Sequence, residues 1–419
     1  MTINRAICSL RAFAYYGLAC LCVVAFSGCG KSRDPRTHVL IWHQKGSPER
    51  EIFNDIVARY NAAHPDRFIE ALYHENEELR SLYIIASVAG QGPDLIYGPS
   101  DNVGVYVTTK AIRPLDEILR PEHKAQFIDE GLVQWKGATW MAADQIGNQL
   151  VLIYDKALVP QPPKTLDELV TTAQALTRAT KGDGRIDQYG LTWNYGEPFF
   201  FIPFLTAFGG WVIDDDGRPT LDNEQTAAAL QFVLDLRDKY KIVPKESDYT
   251  TADMLYKERR TAMIINGTWS WSDYDVGGRS LIAPLPDNPR LGTRCTPMYC
   301  LRGYSLNVNV PAAKVPLVRE VMEFLTGDAV QQELADRLFI TPVSKAVLDS
   351  PSVKNSPVHQ ASLKQIAQAR PIPIRPEMRQ IWDGMRGPLQ LIMSGAVPAR
   401  EGARRMQREA EKQLAEAKL

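Results

Sequence analysis

The chain has 419 residues, too long for one compact core, so about two domains are expected. At 45% hydrophobic and 23% charged residues its composition is ordinary globular, and 48 Lys plus Arg against 49 Asp plus Glu leave a formal net charge of -1. No global field draws such a chain to nucleic acid or anionic lipid, which argues against a nucleic-acid-binding function.

At the N-terminus, Arg5 and Arg11 precede an uncharged stretch, AFAYYGLACLCVVAF (12–26), followed by small residues, a cysteine and the polar KSRDPRTH. The stretch is shorter than the roughly 20 residues a spanning helix needs, and its layout is that of an export signal. FSGC (26–29) resembles a bacterial lipobox, in which the cysteine is lipidated and becomes the new first residue. This predicts a signal peptide over 1–28, lipidation of Cys29 and a polar linker over 29–36. An uncleaved anchor helix is the alternative; either way the protein is exported and membrane-anchored, facing the periplasm or the cell exterior. Cys8, Cys20 and Cys22 fall in the signal, leaving Cys295 and Cys300 in CTPMYC. In an oxidising compartment these two are expected to close a small disulfide loop. No second Cys or His pair stands at zinc-ligand spacing, so no metal is expected.

Beyond the linker the pattern alternates. HVLIWH (38–43) reads as a strand, and Ile52, Phe53, Ile56, Val57 and Tyr60 form a helical stripe ended by Pro65. RFIEALYH (67–74) reads as a strand, ELRSLYIIASVAG (78–90) as a helix and GPDLIYG as another strand. A second block of the same kind opens at QLVLIYDK (149–156), where Thr165 and Glu168 form a capping box before the next helix. Further helices are predicted over 224–240, 314–327 and the charged C-terminus. The class is α/β, in which ligands tend to sit beyond the carboxyl ends of the strands. No repeat or long linker interrupts the chain, so the lobes are joined by short crossovers that act as a hinge.

No nucleophile elbow, zincin motif, P-loop or dinucleotide fingerprint is present, and the six histidines show no i, i+4 pair. KGDGRIDQYG (181–190) and DDDGRP (214–219) have the residue types of calcium loops without the EF-hand spacing; hairpin turns are the simpler reading. Aromatics beside polar groups are more informative. Trp382 and Arg386 in QIWDGMR share one helix face, as a sugar platform with a two-pronged donor or as a half-buried indole under a solvated arginine. TWNYGEPFFF (192–201) crowds aromatics around Glu197, a carboxylate costly to bury unless paired or used. In IINGTWSW (264–271) the strand is expected to end at the Asn-Gly turn and lead into a helix. Two residues apart, the indoles cannot share a face: Trp269 is the candidate platform and Trp271 the core residue.

Together, GPDLIYGPSDNVGVY, LIYDKALVPQPPKTLDEL, GEPFF, DYT, TAMIINGTWSW and QIWDGMR resemble, in collinear order from about Val39 onward, the solute-binding proteins of ABC importers, specifically the maltose- and oligosaccharide-binding group. The resemblance implies a two-lobed periplasmic-binding-protein (Venus-flytrap) fold of type II, with discontinuous lobes of 37–147 plus 302–343 and 148–301 plus 344–419. The three crossings would lie near Asn148, Arg302 and Pro342. It also implies a non-enzymatic monomer without cofactor that takes a sugar and hands it to the transmembrane subunits of a permease. Ligand contacts carried over are Gln44, Asp101, Asn102, Asn148, Glu197, Phe199, Tyr249, Trp269, Trp382 and Arg386. The chain departs from maltodextrin binders at Gly98, where they place a stacking tryptophan, and at Asn102, Asn148 and Phe199, where they place arginine, glutamate and tyrosine. Two other functions stay open: a binder of a polyol phosphate, which requires more cationic groups than Arg386, and a saccharide hydrolase using Asp101 and Glu197.

Overall fold

The computed structural model describes residues 38–417 except 181 and 183; the signal segment, Cys29 and the linker lie outside them. Two sheets organise the chain. The first is eight-stranded, and its main path joins β1 (His38–His43), β2 (Phe68–Tyr73), β3 (Leu95–Pro99), β4 (Leu132–Trp135) and β5 (Ala138–Gly147) with a late strand, Met298–Asn307. The second holds β6 (Leu150–Asp155), β7 (Tyr189–Thr192), β8 (Thr261–Gly267) and β9 (Ser280–Ala283). With the late strand called β10, the spatial orders are β2-β1-β3-β10-β5-β4 and β9-β6-β8-β7. β1 lies parallel to β2 and β3, whereas β10 is antiparallel to both β3 and β5.

These strands form where the sequence places unbroken apolar runs. β6 and β8 are buried at every position, the pattern of strands covered on both faces. The stripe Ile52, Phe53, Ile56, Val57 and Tyr60 on helix α1 (Glu49–Ala63) packs on Val39, Ile41, Leu95 and Leu306 of the first sheet. One face of the second sheet supports a core of Trp193, Phe200, Phe204, Met263 and Ile265, reached by Ile381, Trp382 and Met385 from a long helix, Glu377–Met393. Its other face carries Val151, Ile153, Tyr256, Ile264 and Trp271. At Thr165 the hydroxyl accepts from the Glu168 amide at 3.1 Å, which starts the helix after β6 as expected.

The chain passes from sheet to sheet at Asn148, in the left-handed region at φ 58°, and returns within β10, where Cys300 belongs to the second core and Leu301 to a cluster of the first lobe. Backbone bonds favour a third passage somewhat later than Pro342. Ile146 N–H donates to Thr341 O at 3.0 Å, Ile128 N–H to Val343 O at 2.9 Å and Lys345 N–H to Gln126 O at 2.9 Å, so 341–345 still belong to the first lobe. Val358 then packs with Trp271. We therefore propose lobes of 38–147 with 301–356 and 148–300 with 357–417. The disulfide expectation is overturned: Cys295 and Cys300 are free, buried thiols. Thr296 between them is held to Thr206 by bonds of 2.8 and 3.0 Å, and Met298–Cys300 already run as strand, so the segment does not curl into the loop a bridge needs. Burial pushes both thiol pKa values up, which leaves them protonated and unreactive.

A strap, Arg370–Pro376, touches both lobes: Ile372 enters the second core, while Ile374 packs against a first-lobe cluster. The Ile374 carbonyl lies over Gly104, where an added Cβ would come within 1.8 Å of it. A Gly104→Val variant is expected to displace the strap and destabilise the fold by about 1–3 kcal/mol, read as a lower urea midpoint at unchanged slope.

Candidate functional site

Between the lobes, beyond the carboxyl end of β3, lie two cavities of about 310 and 340 Å³. They share Pro99 and Asn148 and so form one cleft, of a size that suits a small ligand.

The second lobe supplies an aromatic wall. Phe199, the second residue of the helix Pro198–Ala207, stands 6.3 Å from the Trp269 ring and 6.5 Å from Trp382. Glu197 precedes that helix without capping it; its carboxylate instead accepts from Arg386 Nε at 3.2 Å and Nη2 at 3.1 Å. Trp382 and Arg386 stand one turn apart on Glu377–Met393, so the indole and the guanidinium–carboxylate pair edge the same cavity. Trp382 is 9% exposed and Trp269 is 37% exposed: the first is rooted in the core, the second offers a free face.

Trp269 is nonetheless held. Its Nε1 donates to Tyr249 OH at 3.0 Å, and its ring lies on the bare backbone of Gly267, where a Cβ would come within 2.1 Å. Tyr249 lines neither cavity and meets the cleft through the Trp269 indole, whose Nε1–H its hydroxyl accepts. The expected Asn-Gly turn is absent: β8 runs through Gly267, paired with Leu150, and a short 3-10 turn over Thr268–Ser270 follows. Trp271 is 1% exposed.

The first lobe is polar. Asp101 and Asn102 come from the turn after β3 and line the first cavity; Gln44 comes from the loop after β1 and lines the second. Among lining residues with charged or amide side chains, sequence reasoning missed six. Arg80, Arg375 and Arg379 join the first cavity, while Glu49, Gln145 and Arg302 join the second. Glu49 accepts from Lys45 at 2.8 Å, Arg302 at 2.9 Å and Gln145 at 3.1 Å. Lys45 also reaches Asp144 at 3.1 Å, and Asp144 accepts from Tyr97 OH at 3.1 Å. Burial alone would raise the Glu49 pKa, but Arg302 and Lys45 outweigh it and hold the carboxyl at about 2. For Asp144 burial wins over Lys45 and the pKa is raised. No cluster of three or more His, Cys, Asp or Glu able to hold a metal exists among the described residues, and no described helix is long and apolar enough to cross a membrane.

Comparison with known proteins points the same way as this geometry. The bacterial extracellular solute-binding protein family matches residues 55–361. The maltose/maltodextrin-binding domain of Bdellovibrio bacteriovorus, solved with maltotriose, is 37% identical with a TM-score of 0.84, over 90% of this chain and 100% of that one. The likeness shows a two-lobed α/β periplasmic-binding-protein fold of type II. A maltotriose-binding protein of Pyrococcus abyssi is 28% identical over 87% of this chain and 78% of its own. A maltooligosaccharide ABC transporter solute-binding lipoprotein of Streptococcus pneumoniae is 24% identical over 75% of each.

Two outcomes follow for stability. Trp271→Ala should cost about 3–5 kcal/mol by leaving a cavity, while Trp269→Ala should cost under about 1 kcal/mol; urea denaturation of each separates them. His43, 1% exposed, has its imidazole pKa brought down to about 3 by burial and then by Lys45, with Arg50 and His74 adding and Glu49 opposing. Its folded value lies below the ordinary 6.5, so the unfolded chain takes up the proton first. Stability is complete above that value and falls on acidification toward pH 3, at up to roughly 1.4 kcal/mol per pH unit. Glu49 adds to the loss below its ordinary 4.5, and Asp144 works in the opposite direction. A His43→Gln variant should flatten the loss between about pH 6.5 and 4.5 in urea midpoints taken across that range.

Proposed function

Because this chain belongs to the bacterial extracellular solute-binding proteins, we propose that it is the substrate-binding component of an ABC importer, and that it captures a neutral oligosaccharide of the maltotriose type between its lobes. The observation that carries this reading is the wall Trp269–Phe199–Trp382, edged by the Glu197–Arg386 fork. A sugar ring has apolar C–H faces and polar edges, so it wants aromatic platforms bordered by carboxylate, amide and guanidinium groups. Tyr249 serves by holding Trp269; the other nine residues named from the sequence line the cleft. The maltotriose complex of the 37% identical domain supports the ligand class.

A polyol phosphate fits less well. Three more arginines do line the cavity, but Arg386 and Arg379 are paired with Glu197 and Asp383, Arg375 stands 3.7 Å from Glu377, and Arg80 is engaged within the protein. The wall is thus alternating charge rather than a cationic cradle. Hydrolysis fits less well again, because both oxygens of Glu197 face Arg386 and the relatives are binding proteins rather than enzymes. We extend the proposal to export, lipidation at Cys29, action as a monomer and delivery to permease subunits. The sequence layout supports export and lipidation, and the ABC transporter lipoprotein relative supports lipidation and delivery.

Calorimetry of the soluble domain with maltose, maltotriose, maltotetraose and glycerol 3-phosphate tests the reading. Micromolar binding of a maltooligosaccharide is expected, about -8 kcal/mol, weakened about tenfold or more by Trp269→Ala and by Trp382→Ala. Binding of glycerol 3-phosphate alone would overturn it. For the anchor, Cys29→Ser should move the protein from the membrane to the soluble fraction and abolish metabolic labelling with palmitate.

A further inference from the structure

Arg302 is a half-buried residue of an unusual kind. Its side chain is 15% exposed, and of its guanidinium N–H groups Nη1 donates to Glu49 at 2.9 Å. Among the described residues no second hydrogen-bond acceptor is found for it, and the two nitrogens without a partner, Nε and Nη2, are not sealed from solvent. The side chain lines the cleft beside Gln44, Gln145, Asn148 and Trp269. A guanidinium cannot shed its charge, so donors left open in a mostly buried place ask for an acceptor that arrives from outside.

The surroundings fix where the open donors face. Arg302 pairs in register with Pro99 on one side and Gln145 on the other, and the ladder slips between Arg302 and Gly303. Such a bulge turns one side chain out of the regular alternation. The Tyr97 ring, 5.3 Å beneath, and Glu49 clamp the guanidinium from the protein side. Lys45 and Asp144 complete a group of two acids and two bases, which as ions carry no net charge. That balance suits an uncharged partner, and the planar fork of a guanidinium spans two adjacent hydroxyl oxygens of a sugar.

We propose that Arg302 is a further ligand-binding residue, which donates to a pair of neighbouring hydroxyls on the sugar ring that lies against Trp269, and that Glu49 is the residue that positions it. The inference rests on the sugar-binding reading of the cleft. Arg302 also occupies the point where β10 passes from the second core to the first sheet, so a ligand held there grips a hinge strand directly.

The test titrates maltotriose, and maltotriose derivatives each lacking one hydroxyl, into the wild-type domain and an Arg302→Lys variant, with tryptophan fluorescence and calorimetry. Lysine keeps a cation for Glu49 and removes the fork. Affinity for maltotriose should fall about tenfold or more. At least one deoxy ligand that the wild type binds less tightly should be bound by the variant as well as maltotriose, an outcome that a purely structural role of Arg302 does not produce. Unchanged affinity, or deoxy penalties that all persist in a folded variant, overturns the proposal. Failure of the wild type to bind any saccharide overturns instead the sugar reading beneath it.

Discussion

The first lobe is organised around the carboxylate of Glu49. Lys45, Gln145 and Arg302 all donate to it, and through Lys45 and Tyr97 it is joined to Asp144. These groups come from the loop after β1, the first turn of α1, β3, β5 and β10, segments that meet only in the finished sheet. Ions removed from water must be paired, so the placement of each segment depends on the others. Lys45 also sits 3.5 Å from the Tyr97 ring centroid, which directs its charge between the two carboxylates. A buried network of this kind adds little net stability over a well-packed apolar core, and removing one member costs about 3–5 kcal/mol because the rest are left uncompensated. What it supplies is register: β10 lies against β3 and β5 with Arg302 at the edge of the cleft.

Where sequence and structure agree, the signal is local. The helical stripe from Ile52 to Tyr60 and the apolar runs of β6 and β8 each record burial in their own periodicity. Glu197 with Phe199, and Trp382 with Arg386, could each be picked out because in both stretches an aromatic and a polar group lie within one turn of each other. Arg379 could have joined them, three residues before Trp382 and seven before Arg386 on the same helix. Glu49 and Arg302 could not. The one reads as an acid in the first turn of a helix, the other as a polar residue in a strand, and their meeting needs the order β3-β10-β5. The Asn-Gly dipeptide misled because both residues are already paired, Asn266 with Val151 and Gly267 with Leu150, and ladder pairing overrides a turn propensity.

The two sides of the cleft differ in rigidity as well as chemistry. Trp382 is rooted in the second core, and Trp269 is fixed by Tyr249 and by the bare backbone of Gly267, so the aromatic wall stands ready without a ligand. A sugar can lay an apolar face there while its edges still bond to water. The polar groups opposite, Asp101, Asn102 and Gln44, belong to the other lobe. On the proposed capture of a sugar between the lobes, they add bonds as the lobes approach and exclude water in doing so. Asn102 and Asn148 contribute uncharged amides, and formal charge enters the second cavity through Glu49 and Arg302 instead.

Closure needs a ligand to bind one arrangement of the lobes better than another, since equal contacts shift nothing. The residues best placed for such a difference are those on the passages between lobes. Asn148 lines both cavities and holds a left-handed backbone, a conformation asparagine accepts more readily than β-branched residues do. Arg302 lies on the return strand, and Ile372 of the strap lines the first cavity while Ile374 rests on Gly104 across the interface. A ligand in this cleft therefore touches two of the passages between the lobes and the strap that contacts both, as well as the lobes themselves. On the proposed capture of a sugar between the lobes, its binding energy enters where a small change in backbone angle is converted into a large change in lobe orientation.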